Sequence, residues 1–203
     1  MDIKLRLAAP SDAARLLRIY RPYVETTTVT FEYVTPTEEE FRARILEYSA
    51  EFPYIVCECD GTAVGYAYAH RYKTRFSYRF AAELSIYLDT DFCGKGIGGL
   101  MYAALIELLS GMGYKNLYGT VTDPNPASCA LHKRFGFYET GREHKVGYKF
   151  GNWIDVIIFE RIIADKNESA SPALWNICPL SIRDIPDLAE EVLRKYEKIA
   201  SSV

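Results

Sequence analysis

The stretch Glu83–Gly99 limits this chain more than any other. A strand-like run from Glu83 to Leu88 ends at Asp89. Then Cys93-Gly94-Lys95-Gly96-Ile97-Gly98-Gly99 runs directly into an apolar helical stretch, Leu100 to Leu109, closed by Gly111 and Gly113. A glycine loop between a strand and a helix offers unpaired backbone N–H groups at the positive end of the helix, which is an anion site. A P-loop would need GxxxxGK[ST], and Gly94-Lys95-Gly96 does not supply it. Gly94, Gly96 and Gly99 fit GxGxxG, and Asp123 stands where a ribose-binding acid would. The dinucleotide fold, however, needs several more strand–helix units, and only one short helix and a hairpin follow.

Around the loop the chain alternates short strands and helices. Ile3 to Leu7 alternates apolar and charged residues, as a strand does. Pro10-Ser11-Asp12 opens a helix, with Ser11 or Asp12 able to cap it and Leu16, Leu17, Ile19 and Tyr20 forming its apolar face. Thr26 to Thr35, rich in β-branched and aromatic residues, reads as extended. Thr37-Glu38-Glu39-Glu40 has capping-box spacing and starts a helix to about Glu51. Tyr54 to Cys59 and Ala63 to His70 are strands joined by an Asp60-Gly61 turn. Asn116 to Thr122 is a strand broken by Asp123-Pro124-Asn125-Pro126, and Ala127 to Phe135 is a short helix stopped by Gly136. Tyr138 to Lys149 and Trp153 to Ile163 form a hairpin around Phe150-Gly151-Asn152. The expected fold over residues 1–163 is α/β (α+β): a mixed, largely antiparallel twisted sheet flanked by helices, with one or two parallel crossovers. Residues 164–172 read as a linker. From about Pro186, Leu188, Val192, Leu193, Tyr196 and Ile199 mark an amphipathic helix of unassigned role, and Ile182 to Leu188 faintly echoes Leu5 to Ala13.

Composition removes several classes of function. The net charge is -3 over 203 residues with no basic block, so nucleic acid is not an expected partner. The N-terminus carries no apolar signal-like stretch, and no apolar run is long enough to span a membrane. The five cysteines form neither a disulfide framework nor a zinc-site spacing. They read as reduced thiols in a cytoplasmic protein, and no metal is expected.

The third guest for the glycine loop is the pyrophosphate of coenzyme A. Cys93-Gly94-Lys95-Gly96-Ile97-Gly98 resembles the [Q/R]xxGx[G/A] loop of the GNAT superfamily of acyl-CoA-dependent N-acyltransferases, with Cys93 where Gln or Arg is usual. That change removes a side-chain contact and leaves the backbone amides in place. Asn125, Ser128, Ala130, His132 and Gly136-Phe137 match the family's next segment. Tyr72 to Tyr78, Ala82 to Tyr87 and Phe150 to Asp155 are similar to the phosphinothricin N-acetyltransferase branch. The resemblance covers about residues 3–163, in order. It implies transfer of acetyl from acetyl-CoA to a small amino-acid-like amine (phosphinothricin, methionine sulfone or methionine sulfoximine type) by direct attack in a ternary complex. It also implies a homodimer.

Such a reaction needs a neutral amine, and a free α-amino group has a pKa of about 8, so a base must complete its deprotonation. It also needs fixed donors for the charge that develops on the thioester oxygen. By resemblance Glu83 is the base; taken alone, it reads as a solvent-facing strand residue. His132 is the second candidate for proton transfer, because histidine titrates near neutrality. Taken alone it reads as a helix-surface histidine, as do His70 and His144. The resemblance assigns Gly94, Lys95, Gly96, Ile97, Gly98 and Gly99 to the pyrophosphate, and Ile86, Tyr87 and Leu88 to the pantetheine amides. Ile86 or Leu88 N–H is the oxyanion donor, and the strand near Gly119 to Val121 must diverge to open the groove. Asn125 and Ser128 would touch the pantetheine arm, although Asn125 is nearly as well explained as a turn residue. Lys73, Arg75 and Tyr78 would hold the acidic end of the acceptor, against a solvated basic loop as the alternative. Acceptors such as a protein N-terminus, lysine or polyamine stay open at this point. So do a non-catalytic CoA-binding sensor and a dinucleotide oxidoreductase.

Overall fold

The computed structural model describes residues 1–164 and 176–201. Its strands are β1 (Ile3–Leu7), β2 (Tyr54–Cys59), β3 (Thr62–Arg71), β4 (Ala81–Leu88), β5 (Asn116–Asp123), β6 (Tyr138–Lys149) and β7 (Asn152–Ile162). They form one sheet in the order β1-β2-β3-β4-β5-β7-β6. Every neighbouring pair is antiparallel except β4 and β5. That parallel pair requires a crossover, which α3 (Ile97–Gly111) provides. The other helices are α1 (Ala13–Thr26), α2 (Glu38–Ser49), α4 (Pro126–Arg134) and α5 (Pro186–Ser201).

Local chemistry sets the element ends. In α2 the Thr37 hydroxyl accepts the Glu40 N–H at 3.2 Å, and the Glu40 carboxylate accepts the Thr37 N–H at 2.7 Å. At the start of α1, Asp12 accepts the Ala9 N–H at 2.7 Å and binds Arg6 through both carboxylate oxygens. Asp60 and Gly61 both have positive φ, 49° and 78°, which is the two-residue turn whose twist suits a hairpin. Phe150 (φ 50°) and Gly151 (φ 77°) repeat that turn, so Asn152 belongs to β7 and not to the turn.

The sheet separates two apolar layers. One packs α3 and α5 on the sheet and includes Met101, Leu105, Leu108, Leu117, Phe159 and Val192. The other packs α1 and α2 on the opposite face and includes Leu16, Tyr20, Phe41, Ile45, Tyr54 and Tyr66.

One expectation needs correction, and the tail left unassigned finds a place. Thr26 to Thr35 contains no strand: Thr26 ends α1, and the rest is irregular. Its strand propensity finds no sheet edge to join. Side chains pin it instead, with Tyr20 Oη and Thr30 Oγ1 at 2.8 Å and Lys149 Nζ donating to the Thr30 carbonyl at 2.8 Å. The Phe31 ring covers Gly147, where a Cβ would lie 2.1 Å from it. The tail helix, in turn, is joined to the body of the fold. Leu188 approaches Gly111 of α3, Lys195 Nζ and Tyr196 Oη both donate to Glu107, and Glu197 accepts the Leu5 N–H of β1 at 2.9 Å. Beyond Ala164, the linker expected at 164–172 lies outside the described residues.

Candidate active site

β4 is paired with β3 along its whole length, Arg71↔Ala82 through Gly65↔Leu88. Its other edge is paired to β5 only at Ala81↔Asn116, Ala82↔Leu117 and Glu83↔Tyr118. β5 meanwhile stays on β7 as far as Asp123↔Asp155. Past Glu83 the two parallel strands therefore diverge, and one backbone edge of Leu84–Leu88 is released from the sheet.

The glycine loop lies at the far end of this wedge. Gly94 and Gly96 have φ of 76° and 82°, conformations that cost an L side chain about 1–2 kcal/mol. Gly96 caps α3 without a side chain, so the first N–H groups of the helix are free to meet an anion. A Cβ on Gly98 would touch Leu88 at 3.2 Å. The loop and the wedge share a cavity of about 430 Å³ lined by Ile86, Leu88, Gly94, Gly96, Gly98, Gly99, Asn125 and Ser128 of the expected residues. Asn125 Oδ1 caps α4 by accepting the Ser128 N–H at 3.1 Å, and the residue also lines the cavity.

Three expected residues contribute no side chain to this cavity. Ile97 is buried in the α3 layer. The Tyr87 ring points to the opposite face of the sheet, 4.9 Å from Tyr20 and 5.3 Å from Tyr66. The Lys95 side chain is exposed, with its ammonium 4.9 Å from the Phe92 ring. Two polar lining residues, Tyr23 and Arg134, were not read from the sequence. Tyr23 Oη donates to the Leu88 carbonyl at 2.6 Å, and burial pushes its phenol up to about 12. Arg134, at the end of α4, brings its guanidinium beside Gly99. No local pattern marks Tyr23, because the residue it meets lies 65 positions away.

Glu83 stands at the apex of the wedge, opposite His70 on one side and Tyr118 on the other. It is half-buried, not the open strand position the sequence suggested. Tyr72 lies flat on Tyr118 with ring centroids 3.8 Å apart, and Lys73 Nζ sits 4.9 Å from both the Tyr72 and Tyr78 rings. Lys73 and Tyr78 are thereby gathered beside the residue that neighbours Glu83. Arg75 is exposed, just ahead of the turn Phe76–Tyr78.

His132 is not a surface histidine. It is 4% exposed, its ring stacks on Phe159 at 5.0 Å, and Gly119 alone makes room for it: a Cβ there would sit 2.0 Å from Nε2. Nδ1 lies 2.8 Å from the Ser128 carbonyl and must donate to it, which leaves Nε2 to accept the Tyr102 hydroxyl at 2.9 Å. Desolvation lowers the His132 pKa, and the Ser128 bond opposes that only in part, so the ring is neutral. His70 and His144 lie outside this network, His144 pairing with Asp155 at 2.9 Å. The cysteines among the described residues are free thiols. Among the described residues, no helix is long and apolar enough to cross a membrane and no cluster of three His, Cys, Asp or Glu side chains could hold a metal ion.

A free strand edge, an exposed helix N-terminus and an adjoining cation suit an elongated ligand with a phosphate at one end, and similarity to known proteins supplies its identity. The chain matches the acetyltransferase (GNAT) domain model over residues 5–158. It is 39% identical over 159 residues to a phosphinothricin N-acetyltransferase of Alcaligenes faecalis, covering 77% of this chain and 81% of that protein. It is 31% identical over 173 residues to an L-methionine sulfoximine/L-methionine sulfone acetyltransferase of Pseudomonas aeruginosa, covering 84% and 99%. A phosphinothricin acetyltransferase of Sinorhizobium meliloti, solved in complex with AcCoA, superposes with a TM-score of 0.81 at 30% identity, covering 87% of this chain and 97% of that one. With its diverging parallel strands and its glycine loop, the chain belongs to the GNAT acetyltransferases, as an N-acetyltransferase like those of the phosphinothricin branch.

Proposed function

We propose that the enzyme transfers acetyl from acetyl-CoA to the α-amino group of a small amino-acid-like acceptor, of the phosphinothricin, methionine sulfone or methionine sulfoximine kind. The amine attacks directly, with both substrates bound. One observation carries this reading: the β4–β5 wedge has an anion cradle at one end and a half-buried carboxylate, Glu83, at the other. Acetyl-CoA supplies the activated thioester. The amides after Gly96, with Arg134 beside them, hold its phosphates, and the free edge of Ile86–Leu88 pairs with its amides and aims an N–H at the developing oxyanion. Glu83 takes the amine proton. His132 takes part from beneath the groove, its Nε2 accepting the Tyr102 hydroxyl. Lys73, Arg75 and Tyr78 hold the acidic end of the acceptor.

The proposed working state is a cytoplasmic homodimer. The exposed aromatic tip of the β6–β7 hairpin, with Tyr148, Phe150 and Trp153 beside Tyr33, supports a second copy covering that face. Light scattering on the purified protein tests it.

The first assay is release of CoA thiol from acetyl-CoA with phosphinothricin, methionine sulfone, methionine sulfoximine, plain amino acids, polyamines and a lysine peptide. Release with the first three supports the proposed acceptor class. Release confined to polyamines or the peptide overturns that class and keeps the enzyme.

A further inference from the structure

On the sheet face that carries Glu83, a second cavity of about 350 Å³ opens between α2 and the 27–37 segment. That lies within the range of small-molecule sites, about 300–1,000 Å³. Its walls are tyrosines. Tyr54 lies parallel to Tyr68 at 4.9 Å and to Tyr66 at 5.7 Å, and Tyr48 lies parallel to Tyr68 at 5.3 Å. Two charged residues, Glu32 and Arg44, line it as well. Arg44 donates to Glu32 Oε1 at 2.6 Å, whereas Glu32 Oε2 is buried with no hydrogen-bond partner.

This cavity leads toward the reacting centre. Its floor residues Tyr66 and Tyr68 lie opposite Tyr87 and Ser85 in the β3–β4 register, and the next pair on that face is His70 with Glu83. Tyr48 spans the interval: its ring stacks on His70 at 5.5 Å, and its phenol is pushed up by burial and by several carboxylates, Glu32 and Glu83 among them.

We propose that this cavity receives the side chain of the acceptor, and that Glu32 turns its unpartnered Oε2 into the cavity to accept a hydrogen bond from a neutral O–H or N–H at the end of a flat aromatic group. The inference rests on the N-acetyltransferase reading and adds to its acceptors the aromatic amino acids that carry a phenol or an indole. These rings cover one another's faces, so the ladder turns its edges to the cavity, which suits an aromatic body in edge-to-face contact. Arg44 already balances the charge of Glu32, so the unfilled lone pairs call for a neutral donor and not a second cation. A buried acceptor left unpaired is costly, so a ligand lacking the donor is disfavoured far more than its area alone would predict.

The test compares L-tyrosine with L-phenylalanine, in turnover with acetyl-CoA and in calorimetric binding to the CoA-bound enzyme. The wild type should favour L-tyrosine at least about 10-fold in kcat/KM or Kd. Replacing the pair by leucine (Glu32→Leu with Arg44→Leu) should bring the ratio to one or below. Glu32→Gln, which keeps a carbonyl acceptor, should retain part of the preference. A purely structural lesion would lower both acceptors together and leave the ratio unchanged. Equal handling of the two amino acids by the wild type overturns the subsite, as does failure of L-tyrosine to bind while methionine sulfoximine is acetylated. Selective L-tyrosine binding without turnover of any acceptor keeps the subsite and overturns the proposed function.

Discussion

At the level of single residues, the carboxylate and the cation of the wedge make separable predictions. Glu83→Gln keeps the shape of the side chain and removes the base, so kcat/KM should fall about 10²–10⁴-fold near neutral pH, with partial recovery toward alkaline pH as the free amine deprotonates itself. A flat, undiminished pH–rate profile would remove Glu83 from the chemistry. Arg134→Ala removes a charge next to the phosphate cradle and nothing at the reacting atoms. It should raise KM for acetyl-CoA roughly 10-fold at near-constant kcat, an effect that shrinks with added salt. His132 links the site to stability. Its folded pKa is depressed, so its contribution is intact above the unfolded value of about 6.5 and is lost as pH falls through the folded value. Thermal melts should drop on acidification in that window, and the drop should flatten in His132→Gln. Glu83, His132 and the loop glycines could be nominated from the sequence because they fall inside short local patterns. The burial of His132 was not, since it depends on Gly119 of another strand and on the Phe159 ring.

Among the elements, legibility followed the range of the forces that shape them. The capping box of α2, the Asp60-Gly61 turn and the glycine start of α3 are settled within a few residues, and each was read correctly. The stretch Thr26 to Thr35 was misread because contacts from Tyr20, Gly147 and Lys149 fix it. For α5, sequence periodicity gave the helix but not its seat. Val192 and Leu193 are buried against the same layer as α3, so Leu193→Ala should cost about 2–5 kcal/mol. Chemical denaturation would show it as a lower midpoint with an unchanged slope. A second, earlier transition for the tail would instead mean that α5 unfolds on its own.

Across the whole molecule, the sheet sorts its chemistry by face, and the α1–α2 face is dense in phenols. Burial raises the pKa of Tyr20, Tyr54, Tyr66, Tyr68 and Tyr87 there, and of Tyr102 and Tyr114 on the other side. A raised folded pKa leaves stability intact below the unfolded value of about 10 and erodes it as pH climbs toward the folded value. The share of phenolate absorbance that belongs to these seven buried tyrosines should therefore appear in one late step, together with loss of circular dichroism. Complete phenolate absorbance in a still-folded chain would contradict the burial of these side chains. The strand order, with its one parallel pair, could be expected only as a class, because which strands part from one another is decided by packing between distant segments. That parting has a consequence of its own. From Leu84 to Leu88 the sheet lacks a rung on one side, so the proposed pairing would make a bound pantetheine arm a temporary strand between β4 and β5. Deuterium uptake along β4 and β5 should slow when acetyl-CoA is present, while β1 and β2 exchange as before. In its resting form the enzyme is a sheet with one seam open, and its cosubstrate is the thread that closes it.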